Sequence, residues 1–137
     1  MAAFVIAHWY LFLALVIVGG LLVAGTALDA TSGGQKVTGQ EAVQILNRKA
    51  AVVVDVREPQ EFTSGHIARA INIPLGQVAT RSQELKKYKE KPIIVCCASG
   101  ARSARAAAIL RKEGFADVRN LAGGLSAWRS ANLPTVS

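Results

Sequence analysis

Cysteine and histidine are scarce in this chain, and their scarcity excludes several classes of protein. Among 137 residues there are only two cysteines, the neighbours Cys96 and Cys97. They cannot build the disulfide framework that staples small secreted domains, so we expect a reducing compartment. The two histidines, His8 and His66, are far apart and do not make a metal-ligand set with the cysteines. We therefore expect no metal and no organic cofactor.

Charge is absent from the N-terminal stretch. Residues 2–28 include no Asp, Glu, Lys or Arg, and this run exceeds the roughly 20 apolar residues that a helix needs to cross a bilayer. His8, Trp9 and Tyr10 stand near its start, where rings with a polar tip favour the headgroup level. The sequence therefore predicts a transmembrane helix over residues 1–28.

Two other interpretations of this stretch remain open. A cleaved signal peptide is one, because Gly25-Thr26-Ala27 could serve as a cleavage site. Such signals begin with a basic segment, however, and residues 1–4 contain no Lys or Arg. A helix buried in the domain is the other interpretation, although a helix that is apolar all round does not fit so small a domain.

The distribution of basic residues predicts the orientation and the partners. All 16 Lys and Arg residues follow Leu28, so the positive-inside rule predicts a single-pass protein of a bacterial-type inner (plasma) membrane with a cytoplasmic C-terminal domain. The net charge of +7 suits an anionic leaflet or small anionic substrates. The basic residues are scattered, so we expect no nucleic-acid partner. Gly19, Gly20 and Gly25 leave a membrane-protein partner possible.

After the apolar stretch, helical and strand patterns alternate. Small and polar residues predict a linker over 29–36, followed by one domain over 37–137. Thr38 and Glu41 form a capping-box pattern for a helix to about Lys49. The further elements expected are strands at 51–56, 70–73, 93–96 and 118–121, and helices at 59–62, 79–89, 101–112 and after Gly123-Gly124. Trp128 is expected in the core. This alternation predicts an α/β fold: a small, mainly parallel sheet with helices on both faces.

A thiol stands where one of these strands meets a helix. Cys97 follows the apolar run 93–96, and a turn of small residues leads into the helix that begins at Ala101. Loop amides, the positive helix end and the charge of Arg102 would favour the thiolate, which is the nucleophilic form. Two buried cysteines that merely end a strand are the alternative.

Three segments carry a resemblance to a known family. The segment Cys97-Ala98-Ser99-Gly100-Ala101-Arg102-Ser103 resembles the C-x-x-G-x-R-S active-site loop of rhodanese-like domains. Residues 55–74 resemble that family's D-V-R-x-x-x-E-[FY]…G-H-I…A-x-N-[IL]-P signature, and residues 121–128 resemble its terminal G-G-x-x-x-W element. Arg69 departs from the glycine often found in the G-H-I-x-G-A segment. The resemblance covers the domain and leaves out the stretch before it.

The resemblance implies a site and an activity. Cys97 would be the catalytic residue of a sulfurtransferase that moves a sulfane sulfur from thiosulfate or a persulfide donor to a thiol or cyanide, as a Cys97 persulfide. The surrounding loop would bind a small anionic sulfur donor, with Arg102 holding it: Ala98, Ser99, Gly100, Ala101, Arg102 and Ser103. Structural support by charge-assisted hydrogen bonds is the role expected of Asp55, Arg57, Glu58, Glu61 and His66.

Two other functions remain open. Cys96 and Arg102 also fit the longer C-x5-R loop of phosphatases, which would make the domain an oxyanion enzyme for phosphate or arsenate. Gly100 stands three residues after Cys97, the offset that both loop families favour, so Cys97 is the better candidate. A membrane-tethered binding or redox-sensing module is the second alternative.

Overall fold

The computed structural model describes the backbone of residues 1–32, 35–48 and 50–137, and the side chains of 1–24, 35–48 and 50–137. The chain divides into two compact units, Met1–Thr31 and Ser32–Ser137.

The N-terminal unit is helical. Helix α1 (Ala2–Ala7) ends at His8, whose ring Nδ1 lies 3.0 Å from the carbonyl oxygen of Phe4. Helix α2 runs over Trp9–Ser32. Among the residues that the structure describes, no helix combines the length and apolarity needed to cross a membrane. The predicted transmembrane helix over 1–28 is therefore not supported there, and the side chains of its last four residues lie outside the described residues.

The predicted linker over 29–36 differs from what the structure contains. Helix α2 continues through Ser32, and strand β1 (Gln35–Val37) begins before the predicted end of the linker. Residues 33–34 lie outside the described residues. Pattern analysis does not detect β1 because the strand has three residues and only Val37 is buried.

A five-stranded parallel sheet forms the centre of the C-terminal unit. Besides β1, its strands are β2 (Val52–Asp55), β3 (Ile71–Asn72), β4 (Pro92–Cys96) and β5 (Asp117–Leu121). Their order across the sheet is β1-β5-β4-β2-β3, and every neighbouring pair is parallel. The prediction of a parallel α/β sheet is confirmed. Strands β2 and β4 are buried along their whole length, as expected for central strands covered on both faces.

The α-helices found in the described part of this unit are α3 (Gly39–Arg48), α4 (Pro59–Thr63), α5 (Val78–Arg81), α6 (Ala101–Lys112) and α7 (Gly124–Ser130). At the start of α3 the amide of Glu41 donates to Thr38 Oγ1 at 3.2 Å, as predicted, whereas Lys49 lies outside the described residues. The single helix predicted over 79–89 is wrong. A 3₁₀ turn (Leu75–Gln77) precedes α5, and α5 is followed by a 3₁₀ helix (Ser82–Tyr88) instead of continuing as an α-helix. The buried Ser82 and Leu85 belong to this 3₁₀ helix.

Each face of the sheet packs into its own hydrophobic core. Successive side chains of a strand point to opposite faces, so Ile93 and Val95 join one core while Ile94 and Cys96 join the other. Trp128 belongs to the second core, as predicted, and its Nε1 donates to the carbonyl oxygen of Pro134 at 2.9 Å. The two cores hold β4 rigidly, and the residue that follows β4 is Cys97.

Candidate active site

Cys97 lies where β4 gives way to α6. Gly100 precedes α6 with φ +107, a left-handed backbone that side chains rarely adopt. This turn brings the amide of Gly100 back to the thiol, and its N–H donates to Cys97 Sγ at 2.9 Å. The loop therefore places an amide donor on the sulfur, as expected of a site that stabilises a thiolate.

Ser103 provides the side-chain partner of the thiol. Its hydroxyl oxygen lies 3.4 Å from Cys97 Sγ, and both residues are buried. Burial, the largest single influence, raises the pKa of Cys97, but hydrogen bonds from the Ser103 hydroxyl and from the amides of Ser103, Gly100 and Ser99 outweigh it. The pKa of Cys97 is thus lowered below its ordinary value, which increases the fraction of nucleophilic thiolate.

Asn120 completes this network and was missed by sequence reasoning. It lies in β5, is 3% exposed, and its Oδ1 accepts a hydrogen bond from Ser103 Oγ at 2.5 Å. Its Nδ2 donates to the carbonyl oxygen of Gly100 at 3.2 Å. The available signal was an amide side chain within the strand predicted at 118–121, since an amide that becomes buried needs partners.

The N-terminal turn of α7 holds the other side of the loop. The amide of Leu125 donates to the carbonyl oxygen of Cys97 at 2.8 Å, and the amide of Ser126 donates to the carbonyl oxygen of Ala98 at 3.1 Å. Gly124 makes this approach possible: a Cβ there would collide with the Cys97 carbonyl oxygen and lie 2.7 Å from the carbonyl carbon of Ala98. The two remaining small loop residues, Ser99 and Ala101, are exposed.

Arg102 is engaged by a carboxylate from another helix. Its Nη1 and Nη2 donate to Glu61 Oε1 and Oε2 of α4 at 2.7 and 3.0 Å. This hydrogen bond from Arg102 is the main reason that the pKa of Glu61 falls to about 2. Glu61 Oε1 also accepts from the amide of Glu58 at 3.1 Å, which caps α4. The predicted supporting role of Glu61 therefore includes a link to the thiol loop that its position in sequence does not reveal.

Asp55 and Arg57 form a buried ion pair behind the loop. Arg57 Nε lies 3.0 and 3.1 Å from the two carboxylate oxygens of Asp55, and Arg57 Nη2 lies 2.8 Å from Oδ2. Arg57 Nη2 also donates to the carbonyl oxygen of Gly65 at 2.7 Å. Asn72 Nδ2 donates to the carbonyl oxygens of Asp55 and Arg57 at 3.0 and 2.9 Å. These contacts join β2, β3 and the turn after α4, in keeping with the predicted supporting role.

The contacts of His66 are structural. Its Nδ1 lies 2.7 Å from the carbonyl oxygen of Phe62, and its ring stacks on that of Phe62 at 3.7 Å between centroids. Its backbone exchanges two hydrogen bonds with Val136. These contacts tie His66 to α4 and to the C-terminal residues.

Cys96 and Cys97 are both buried, in the cores on opposite faces of the sheet, and they differ in the groups that surround the sulfur. Burial, followed by the charge of Asp55, raises the pKa of Cys96 well above its ordinary value. The arrangement thus favours Cys97 as the nucleophile. Within the described residues there is no group of His, Cys, Asp or Glu side chains that could hold a metal ion.

Ser103→Ala is expected to slow alkylation of Cys97 about five- to tenfold at neutral pH. A hydrogen bond to a charged group contributes about 1.5–3 kcal/mol. Only part of that energy stabilises the Cys97 thiolate, because the Ser103 hydroxyl also donates to Asn120. Loss of a donor to the thiolate raises the pKa of Cys97, and iodoacetamide reacts with the thiolate. The midpoint of the rate-against-pH profile should therefore move to higher pH. Ser82→Ala, which removes a remote hydroxyl bonded to Ala79, is the control. An unchanged midpoint would mean that backbone amides alone set the pKa.

Comparisons with known proteins agree with this geometry. The model of the rhodanese-like domain matches residues 38–131. The uncharacterized protein YibN of Escherichia coli K12 is 40% identical over 112 residues, which are 81% of this chain and 78% of YibN. The thiosulfate sulfurtransferase GlpE of Pseudomonas syringae is 39% identical over 90 residues, 66% of this chain and 83% of GlpE.

A solved structure shares the fold as well. The crystal structure of a rhodanese-related protein from Thermoplasma volcanium superposes with a TM-score of 0.68 at 31% identity, covering 75% of this chain and 98% of that protein. The matched family segment spans strands β2 to β5, the thiol loop and α7. The chain therefore belongs to the rhodanese-like domain family.

Proposed function

We propose that this domain is a sulfurtransferase that carries a sulfane sulfur on Cys97 as a persulfide. The observation that supports it best is the thiol itself, which lies in a turn of amide and hydroxyl donors that lower its pKa. Relatives named thiosulfate sulfurtransferase support the same activity at the level of the family.

The first half-reaction loads the sulfur. The Cys97 thiolate attacks the outer sulfur of the donor, a new S–S bond forms on Cys97, and the S–S bond of the donor breaks. The bonding electron pair leaves with the remainder of the donor, as sulfite from thiosulfate or as a thiolate from a persulfide. The hydrogen-bond donors around Cys97 stabilise the negative charge on its sulfur before the transfer and on the persulfide after it.

The second half-reaction returns the enzyme to its resting state. A thiolate or cyanide attacks the outer sulfur of the Cys97 persulfide, and the electron pair of the broken S–S bond returns to Cys97. The acceptor leaves as a persulfide or as thiocyanate. No electron is exchanged with an outside oxidant or reductant, so the two steps need no redox cofactor.

Intact-protein mass spectrometry of the full chain tests the proposal. After incubation with thiosulfate or with a small persulfide, the protein should gain the mass of one sulfur atom. Cyanide should then remove that mass with release of an equal amount of thiocyanate. A protein that gains no sulfur from either donor would contradict the proposed function and favour the binding or redox-sensing module.

The membrane location remains a proposal from sequence alone. Its support is the charge-free run over residues 2–28 and the position of the basic residues after it. The predictions of a bacterial-type inner membrane, a cytoplasmic domain and a membrane-protein partner depend on that run. Alkaline carbonate extraction of cell membranes is the test: retention of the full chain in the pellet supports the proposal, and its release contradicts it.

A further inference from the structure

The geometry of Arg102 bears on which sulfur donor the site accepts. Both terminal nitrogens of its guanidinium group donate hydrogen bonds to the two carboxylate oxygens of Glu61. An arginine that binds an anionic substrate uses the same two-pronged arrangement, so Glu61 occupies the atoms that such a substrate would contact. The two side chains are 36% and 37% exposed, so they lie at the surface where a donor arrives. An incoming anion must compete with Glu61 for Arg102.

The charges around the thiol also disfavour a multiply charged anion. Arg102 interacts electrostatically with Cys97, and its positive charge is balanced by Glu61, which stays ionised at neutral pH. The Cys97 thiolate then adds a negative charge. Arg57 is balanced in the same way by Asp55. Residues 98–101 of the loop contribute amide donors but no charged side chain.

One further cation lies beside the loop. Arg129 lines an open cleft of about 340 Å³ together with Ala98, Ser126 and the paired Arg57. The site is thus not devoid of positive charge. The fork of Arg102, however, belongs to the active-site loop itself and is occupied.

We propose that Glu61 is a donor-selecting residue: by occupying Arg102 and adding its own negative charge, it makes the site favour neutral or singly charged persulfides and polysulfides over dianionic thiosulfate. This inference rests on the proposed function and narrows its donor class. With a neutral persulfide R–S–SH, the Cys97 thiolate forms Cys97–S–SH and releases R–S⁻, so the donor brings no charge and the single negative charge of the thiolate leaves on R–S⁻. With thiosulfate, three negative charges meet at the site and sulfite carries two of them away.

A pair of alkylating reagents tests the electrostatic part without requiring sulfur transfer. Iodoacetamide is neutral and iodoacetate is anionic, and both react with the same thiolate, so any change in the pKa of Cys97 cancels from the ratio of their rates. In Glu61→Gln the ratio of iodoacetate to iodoacetamide rates should rise about fivefold, the effect of removing one charge near a partly exposed site. Glutamine can still accept from the amide of Glu58, as a capping box requires.

Two further variants control this result. Glu84→Gln removes the carboxylate of another Arg–Glu pair, with Arg81, and should leave the ratio unchanged within twofold, which is about the precision of such rates. Arg102→Gln should change the ratio in the opposite direction, because it removes the cation and leaves Glu61 unpaired. Arg102→Gln also keeps the test decisive if Glu61→Gln does not fold.

The same variants are then compared with sulfur donors. In Glu61→Gln, kcat/KM for thiosulfate divided by kcat/KM for a singly charged persulfide should rise about fivefold, because these two donors differ by one charge, as the two alkylating reagents do. If neither ratio changes, or if either falls, Glu61 does not select the donor and the inference is overturned. If the alkylation ratio rises but the wild-type protein transfers sulfur from no donor, the proposed function fails while the electrostatic effect of Glu61 stands.

Discussion

Cys97→Ser is expected to abolish sulfur loading and cyanide-dependent thiocyanate formation, with a loss of at least about a thousandfold, since a hydroxyl cannot replace the activated nucleophile. Serine has nearly the same shape, so the fold should persist. Its hydroxyl remains protonated at neutral pH, whereas the structure lowers the pKa of the Cys97 thiol through Ser103 and the loop amides. The loss should therefore appear in the chemical step and in the mass of the loaded protein.

Cys96→Ser is the matched control for this prediction. Cys96 ends β4 and packs in the second core, where burial and the charge of Asp55 raise its pKa and disfavour the thiolate. Its replacement by a hydroxyl should cost about 1–3 kcal/mol of stability but leave loading intact in the folded fraction. Mass spectrometry of both variants after thiosulfate or persulfide treatment provides the comparison. Loss of activity in Cys96→Ser alone would contradict the assignment and favour oxyanion chemistry through the longer loop.

Gly124→Ala is expected to destabilise the domain by about 3 kcal/mol or more, the sum of backbone strain and overpacking. The residue has φ +59, and a Cβ there would collide with the carbonyl oxygen of Cys97. The carbonyl groups of Cys97 and Ala98 cannot retreat easily, because the amides of Leu125 and Ser126 hold them. Relief of the clash must move the thiol loop, so activity should fall even at temperatures where the variant is folded.

Thermal unfolding followed by circular dichroism measures this effect. A loss of about 3 kcal/mol in the free energy of unfolding should lower Tm by about 10 °C or more in a domain of roughly 100 residues. Gly76→Ala is the matched control: it lies in the 3₁₀ turn before α5, and a Cβ there would meet no atom within 4 Å. Its Tm should stay within a few degrees of wild type, about ±0.5 kcal/mol. Equal Tm values for the two variants would show that α7 does not constrain the loop.

The elements that pattern analysis predicted well are those whose physical cause is local. Helix α6 has the predicted bounds, Ala101–Lys112, because a left-handed glycine precedes it and apolar residues recur on one face. Strands β2 and β4 are runs of buried β-branched residues between polar ends, which is typical of a parallel sheet's centre. The position of Cys97 between a strand and a helix was predictable for the same reason, since the loop that surrounds it is continuous in sequence.

Elements with weak local signals were not predictable. Strand β1 is short and mostly exposed, and its pairing with β5 joins residues far apart in the chain. The helical segment before β4 adopts 3₁₀ geometry where packing against the core overrides helical propensity. The N-terminal stretch illustrates the opposite case, in which a strong compositional pattern predicted a spanning helix that the described residues do not support.

The sequence by itself determined the fold class and the position of the thiol loop between a strand and a helix, because each depends on hydrophobic periodicity or on neighbouring residues. Only the tertiary structure decided what surrounds the thiol of Cys97. Glu61 reaches Arg102 across 41 positions of sequence, and Asn120 reaches Ser103 across 17. Such contacts form because the topology of the sheet brings the ends of particular strands and helices together at one edge. A local sequence pattern does not show which ends these are.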